Sequence, residues 1–517
     1  MKANLSSPAP FRAEDLLREP APGPAANDGP AATTEPNPAL AKLLLATADL
    51  DPRPPFSPVV LSGLARLVEV GAMAGTGAAV LVAAEAADRG VAALAMAGTA
   101  TGCLFAWRSM RLGALQVLRA PRTAFSRMFP VFGLMALLAG SLCWMLGSAG
   151  ACRCFAFWCL AAAGALVAER MAVAAAVASL TRKGRLERRA VVVGGGKPGE
   201  DLLEMLALQS DPDLRIFGVF DDRNDARSPM ILAGYPKLGS VSDLVTFARR
   251  ARIDLIIFTL PITAEGRLLQ MLKKLWVLPT DIRLAAHRSG LRFRPHSYSY
   301  VGGVPVLDMF DKPIADWDVV IKAVFDRVVG ALALVALAPV LLLTALAIKL
   351  DSRGPVFFKQ LRHGFNNEAV EVYKFRSLFA DQTDHTAAKQ VTKNDPRVTR
   401  VGRFIRKTSI DELPQLLNVV FKGNLSLVGP RPHALKAQLA NRDYNEVVDG
   451  YFARHKVKPG ITGWAQINGW RGETDTPVKI QKRVEHDLSY IENWSIFFDV
   501  YILAMTPWAL TRTENAY

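Results

Sequence analysis

Four apolar blocks, near residues 59–83, 90–107, 129–148 and 155–178, constrain this chain more than any other feature. Each approaches the roughly 20 residues that a helix needs to cross a hydrocarbon core. Backbone in that medium finds no water and must close its hydrogen bonds within helices, so a four-helix transmembrane bundle is predicted over residues 58–180. The first block is interrupted by Arg66 and Glu69. Between the second and third lies RSMRLGALQVLRAPRTAFSR, with Arg108, Arg111, Arg119, Arg122 and Arg127 and no acid, while the other two loops are short and nearly uncharged. Positive charge gathers on the cytoplasmic side, which puts that loop and both ends of the bundle in the cytoplasm. Arg182, Lys183, Arg185, Arg188 and Arg189 after the fourth block agree.

At 517 residues the chain exceeds one ordinary core, and about three units are expected. Half of it is hydrophobic and its net charge is +15, which suits a membrane protein whose basic face meets anionic lipid or substrate. Nucleic acid is not a predicted partner, because the basic residues lie beside apolar runs and no aromatics interleave with them as a stacking platform. Cys103, Cys143, Cys152, Cys154 and Cys159 lack metal-ligand spacing and read as small buried hydrophobes. Residues 1–57, rich in Pro and Ala, read as a disordered cytoplasmic tail.

Residues 188–300 change character. RAVVVGGGKPGEDLLEML reads as a strand, a Gly-x-Gly-x-x-Gly turn (Gly194, Gly196, Gly199) and a helix, and IFGVFDDR ends a second strand at Asp221 and Asp222. An acid near the expected offset makes this a Rossmann-like pattern in which NAD or a nucleotide-sugar fits. Against binding stands Pro198, which removes an N–H where a pyrophosphate would need one, and no hydride-transfer set follows. A regulatory or oligomerising domain, with a homodimer as partner state, is the other reading.

From Val328 to Ile348 the chain is uncharged and long enough to cross a bilayer. Lys322 and Arg327 before it and Lys349, Arg353 and Lys359 after it make both flanks basic, and Pro339 breaks it midway. A re-entrant helix over 321–350 is predicted, with a kinked fifth span as the alternative. VFFKQLRHGFNNEAVEVYKFRSL then reads as a hairpin turning at Gly364–Asn367 and ending in Lys374 and Arg376. Further on, Lys458, Pro459 and Gly460 form a donor-rich turn, and SYIENWSIFFDVYILAMTPWAL reads as an interfacial helix with Trp494 and Trp508 at headgroup depth.

The chemistry concentrates at Asp411 and Glu412. Pro414, lacking an N–H, belongs in the first turn of a helix, so the helix begins near Ser409–Asp411 with both carboxylates at its positive end. KNDPRVTRVGRFIRK brings Lys393, Arg397, Arg400, Arg403, Arg406 and Lys407 against Asp395, and the GPRP turn adds Arg431 and Pro432. Ser409-x-x-Glu412 also fits a capping box, in which Glu412 only satisfies a backbone N–H. The second acid and the phosphate-type donors around the pair favour chemistry instead, since a carboxylate can attack phosphorus and its neighbour can hold a metal ion.

From about Trp317 to Tyr517 these motifs resemble the bacterial sugar transferase family, the monotopic polyprenyl-phosphate hexose-1-phosphate transferases. The resemblance runs through Lys322-x-x-x-Asp326, the Pro-broken helix, RHGFNNE, YKFRSL, NDPRVTRVGRFIRKTSIDELPQLLN, SLVGPRP and KPGITGWAQINGWRGETDT, and with the upstream regions covers most of 59–517. Within the family the chain is most similar to the undecaprenyl-phosphate glucose phosphotransferases of exopolysaccharide synthesis. The resemblance implies an α-helical membrane protein plus α/β domain, with an α+β catalytic domain over 317–517 on the cytoplasmic face of a bacterial inner membrane. It implies transfer of a hexose 1-phosphate, glucose or galactose, from a UDP-sugar to undecaprenyl phosphate with Mg²⁺. Asp411 would be the nucleophile, Glu412 a metal-binding acid with Asp411 beside it, and Arg406 a phosphate-binding arginine. Lys374, Arg376, Arg431, Pro432 and the Lys458–Gly460 turn would hold the nucleotide and pyrophosphate. Ala323 and Asn424 depart from the family pattern, at a usual Arg and a usual acid. An NAD-dependent sugar-modifying protein is the competing function.

Overall fold

The computed structural model describes residues 55–146, 149–209, 213–223, 228–260, 264–285, 299–301, 304–382, 395–433, 438–439, 442–443, 448, 450–470, 472 and 476–511. The predicted tail lies outside these residues up to Arg53–Pro54, as do Lys393 and the extreme C-terminus. The chain divides into two compact units, with the boundary at Arg188 and Arg189.

The first unit holds helices α1 (Pro58–Ala83), α2 (Ala86–Ser109), α3 (Pro121–Leu146) and α4 (Ala149–Arg182). Ser57 caps α1, its hydroxyl accepting from the N–H groups of Val59 and Val60, and Pro58 occupies the first turn where no donor is missed. Among the described residues four helices are long and apolar enough to cross a membrane, and they cover the four apolar blocks. Met73, Trp107, Met128, Phe132 and Trp158 pack at the centre, and the Trp158 indole N–H is given to the Met73 carbonyl at 3.1 Å. The charge that interrupts α1 is answered inside the bundle, where Arg170 of α4 pairs with Glu69. An unpaired carboxylate there would be costly.

The second unit opens with an eight-stranded mixed sheet in the order β3-β4-β2-β1-β5-β6-β8-β7. The strands are β1 (Arg188–Val193), β2 (Leu214–Phe220), β3 (Ile231–Leu232), β4 (Tyr235–Gly239), β5 (Leu255–Phe258), β6 (Asp281–Ala285), β7 (Ser299–Val301) and β8 (Val304–Phe310), with α5 (Lys197–Gln209), α6 (Val241–Arg250) and α7 (Glu265–Leu275) between them. β1 pairs in parallel with β5, and β5 with β6. β5 is LIIF and wholly buried, the continuous apolar run expected of a strand covered on both faces. β7 and β8 form an antiparallel hairpin on the outer edge.

The C-terminal region begins with α8 (Asp316–Ala336) and α9 (Ala338–Asp351), which meet at Leu337 with a 60° bend. Pro339 stands in the first turn of α9, where its missing N–H cannot bond back to α8, and the bend follows. α8 is held by a buried polar network. Lys322 Nζ donates to Asp326 (3.2 Å), to Asp499 (2.6 Å) and to the Val428 carbonyl (3.1 Å), while Asp326 accepts from the Leu427 N–H (3.1 Å). The apolar residues Val328, Leu332, Val335, Leu342, Leu343 and Leu346 nevertheless face outward. Behind α8 lie β9 (Phe357–His363) and β10 (Ala369–Phe375), an antiparallel hairpin whose turn sets Asn366 and Asn367 at φ 53° and 62°, a left-handed conformation that Asn tolerates. Then come α10 (Arg400–Lys407), β11 (Ser426–Val428), a parallel partner strand Gly460–Thr462, and helices α11 (Pro477–Glu492) and α12 (Ile496–Thr511).

Candidate active site

Asp411 and Glu412 lie on a 3₁₀ turn, Ile410–Glu412, that opens an irregular helical run continuing through Gln415–Leu417 and a π turn, Asn418–Lys422. The run starts within the predicted Ser409–Asp411 window, but not as a capped α-helix. Ser409 takes a left-handed φ of 59° and makes no cap hydrogen bond to the turn, so the capping-box alternative is not what the structure adopts. A non-glycine residue held there stores roughly 1 kcal/mol or more of strain, which sites use to aim a side chain. Here the reversal after α10 turns the acids inward, with Ser409 N–H bonded to the Arg406 carbonyl at 3.2 Å.

The two acids receive opposite treatment. Glu412 is gripped by Lys374 (2.8 Å) and, through both oxygens, by Arg431 (2.5 and 3.1 Å). Asp411 is buried, and among the described residues no hydrogen bond reaches its carboxylate. Burial, together with repulsion by Glu412, pushes the Asp411 carboxyl up to about 6, despite the pull of Lys374, Arg406 and Arg431. Burial also acts on Glu412, but Arg431 and Lys374 outweigh it and hold that carboxyl well below the usual range.

Each cation is placed by its own element. Lys374 rides on β10, which Asn418 stitches to the helical run: the Asn418 amide accepts from the Tyr373 N–H (2.9 Å) and donates to the Glu371 carbonyl (2.6 Å). Arg431 stands on the Gly429–Pro432 turn. That turn is pinned to the Gly460–Thr462 strand by Gly460 N–H to the Pro430 carbonyl (3.0 Å) and Gly429 N–H to the Thr462 carbonyl (2.9 Å). Gly429 is obligatory there, since a Cβ would sit 2.5 Å from the Lys458 carbonyl. Arg362, which the sequence reading passed over, reaches the same cavity from β9 and donates to the Pro432 carbonyl at 2.6 Å. Burial lowers its guanidinium to about 10, so it remains charged. The pocket between these groups is lined by Arg362, Lys374, Glu412, Gln415, Arg431 and the Gly460 strand.

Lys374, Arg431, Pro432 and Gly460 therefore stand around Glu412, with Arg406 near enough to Asp411 to pull on its proton. Arg376 does not join them. It is buried and spends its fork on the carbonyls of Pro355 (2.7 Å) and Ser352 (2.9 Å), tying the end of α9 to the hairpin. Lys458 donates to the Gly423 carbonyl at 2.6 Å, and the Gly460 N–H is consumed by Pro430, so the Lys458–Gly460 turn acts as scaffold for the arginine turn. In the glycine turn of the α/β domain, Gly194 N–H goes to the Phe220 carbonyl (2.9 Å) and Gly195 N–H to Asp221 (2.7 Å), which pairs with Arg223 (2.8 Å), while Gly194 and Gly196 take positive φ and Gly199 lies too close to the Gly194 carbonyl for a Cβ.

Among the described residues no group of three or more His, Cys, Asp or Glu side chains could by itself hold a metal ion. Arg362, Lys374, Arg406 and Arg431 outnumber the two acids, so this partly buried site carries net positive charge and suits an anionic group.

Comparison with known proteins agrees. A family model described as bacterial sugar transferase matches residues 317–513, and one described as a CoA-binding domain matches 113–286. A UDP-glucose:undecaprenyl-phosphate glucose-1-phosphate transferase of Klebsiella pneumoniae is 38% identical over 365 residues, 71% of this chain and 77% of the relative. A protein of the same description from Escherichia coli (strain K12) is 37% identical over 360 residues, 68% of this chain and 74% of the relative. An undecaprenyl-phosphate glucose phosphotransferase of Komagataeibacter xylinus is 41% identical over 342 residues, 64% of this chain and 61% of that protein. The chain belongs to the bacterial sugar transferase family.

Proposed function

We propose that this enzyme transfers glucose 1-phosphate from UDP-glucose to undecaprenyl phosphate, giving undecaprenyl-diphosphate-glucose and UMP, as the first step of exopolysaccharide synthesis. Five relatives bear names for this glucose transfer, and an exopolysaccharide production protein of Rhizobium leguminosarum is 50% identical over 186 residues. The observation that carries the mechanism is the contrast within the acid pair, one carboxylate unengaged and one clamped.

In this mechanism an Asp411 oxygen attacks the β-phosphorus, forming a phosphorus–oxygen bond as the bond to the bridging oxygen breaks and UMP leaves with the electron pair. Arg431, Arg362 and Lys374 take up the charge on the phosphate oxygens, and Glu412 keeps two of those cations in place. An oxygen of the lipid phosphate then attacks the same phosphorus and Asp411 leaves as carboxylate. The residues fit Mg²⁺ of the kind that draws part of its shell from substrate phosphates and water. Asp411 and the remaining lone pair of Glu412 Oε2 would hold it, and when bound it neutralises diphosphate charge.

The four helices of the first unit cross a bacterial inner membrane in this reading, and α8–α9 dips into the cytoplasmic leaflet and returns, keeping the acid pair on the side of the nucleotide-activated donor. The bend, the outward apolar face and the basic flanks support it. The α/β domain, for which the strand order β4-β2-β1-β5-β6 supports a doubly wound, Rossmann-like reading, is then also cytoplasmic.

The decisive experiment is Asp411→Asn. It abolishes both UMP release and labelling of the protein by UDP-glucose carrying label in its β-phosphate. A folded Asp411→Asn enzyme that releases UMP near the wild-type rate refutes the nucleophile.

A further inference from the structure

Behind the Gly429–Pro432 turn lies a second buried cluster that takes no part in the steps above. Arg454, on the short 3₁₀ helix Tyr451–Lys456, is wholly inaccessible to solvent. Its Nη2 donates to the carbonyl of Arg431 at 2.8 Å and lies 2.6 Å from Asp487 Oδ2 on α11. Its Nη1 reaches the two nitrogens of the His433 ring at 2.9 and 3.1 Å, and its guanidinium stands 5.4 Å from the centre of the Tyr451 ring. Burial, then Arg454 and Arg483, hold the His433 ring in its neutral form, so it can accept from Arg454. The His433 carbonyl is taken by the His363 N–H at the end of β9 (3.0 Å).

Burying a full charge pair merely to satisfy one carbonyl is a poor stabilising device, since desolvation offsets much of the attraction. A rigid fork that meets a carbonyl, an imidazole and a carboxylate on three different segments does something else: it fixes their relative positions. The residue whose backbone it fixes is Arg431, the cation bidentate on Glu412.

We propose that Arg454 is a positioning residue: by holding the Arg431 carbonyl, the His433 ring and Asp487 with one guanidinium, it sets the Arg431 side chain in register with Glu412 and with the donor's diphosphate. The proposal rests on the transferase reading, and wild-type turnover in the same assay tests that reading separately.

The test is a double-mutant cycle on the full chain in lipid, following UMP release from UDP-glucose. Arg454→Lys keeps a positive charge opposite Asp487, but a single ammonium cannot hold all three acceptors. It is expected to lower kcat/KM at least about tenfold in otherwise wild-type enzyme, yet less than about twofold in an Arg431→Gln background, where the group it positions is absent. His433→Gln, which leaves the Arg454–Asp487 pair intact, is the second variant and shows the same dependence on Arg431. A purely structural role costs the same in both backgrounds. Equal losses in the two backgrounds, or full activity of both variants, overturn the proposal, while absence of wild-type turnover overturns the reading beneath it.

Discussion

Replacing Asp411 by Asn should destroy catalysis and yet stabilise the fold, because the site holds this carboxylate against its preference. Burial and Glu412 raise its pKa from the ordinary 3.8 to about 6. At 1.36 kcal/mol per unit, that difference amounts to at most about 3 kcal/mol by which the folded state disfavours the ionised form. The sign follows from the direction. Above pH 6 the group is ionised in both folded and unfolded chains and the whole penalty is present; below the unfolded value of 3.8 it is protonated in both and the penalty is gone. The neutral amide of Asn escapes the penalty at every pH. Thermal unfolding of the purified full chain in one detergent, followed at pH 8 and at pH 4.5, reads the effect. The Asn enzyme is expected to melt several degrees above wild type at pH 8, at a few degrees per kcal/mol, with most of the gain lost at pH 4.5. No gain at pH 8, or a gain independent of pH, would refute the claim that Asp411 is a strained, unsolvated carboxylate rather than an ordinary surface acid.

Glu412→Gln should do the reverse: it leaves Lys374 and Arg431 buried against a neutral group, lowering stability by about 3 kcal/mol and the rate with it, as measured by melting at pH 8 and by UMP release. Because Asp411 must be ionised to attack, kcat/KM should fall about tenfold per pH unit below about 6, and a flat profile down to pH 5 would assign the nucleophile elsewhere. A chain beginning at Arg189 should retain UMP release in lipid, since the second unit is compact by itself and the site residues run from Arg362 to Ile461; inactivity of this folded unit would show that the four helices supply part of the site. With the native cysteines replaced, Cys at the exposed positions Asp318 and Arg353 should react with an impermeant reagent from the same side of the membrane, and reaction from opposite sides would make α8–α9 a span.

How much of this was legible in the sequence depended on the distance over which a signal acts. The apolar blocks, the break at Pro339, the hairpin turn at Asn366–Asn367 and the adjacent acids are local features, and they are read directly. Arg362 was missed although its signal was present. Placing the turn at Gly364–Asn367 fixes the register Arg362↔Val370, and two-residue alternation then puts Arg362, Val372 and Lys374 on one face of the hairpin. Arg376 shares that parity, but β10 ends at Phe375, and beyond the strand the alternation no longer holds; its fork closes on carbonyls of the α9 end instead. The donor-rich turn at Lys458–Gly460 was assigned to the nucleotide and pyrophosphate through the family resemblance. Whether a backbone N–H is free depends on a partner strand, here β11 and Pro430, that no local pattern announces.

The same reasoning bears on where the catalytic unit starts. Sequence motifs begin near Trp317, which makes everything upstream look separable, but Trp276 of the α/β domain is buried in the core shared with Val372, Leu416, Val428 and Tyr451. Its ring lies where a Cβ on Gly450 would stand, 2.4 Å away, and Lys456 extends over it at 5.2 Å. Arg249 of α6 covers Phe452 at 4.7 Å. The short helix that carries Arg454 is therefore gripped on one side by the α/β domain and on the other by the arginine turn. A cut after the sheet would expose a Trp-sized hole in the core, costing about 3–5 kcal/mol if its effect matches a Trp→Ala change. It would also loosen the element that holds Arg431, so a chain cut at Arg189 should keep the chemistry where one cut after the sheet should not.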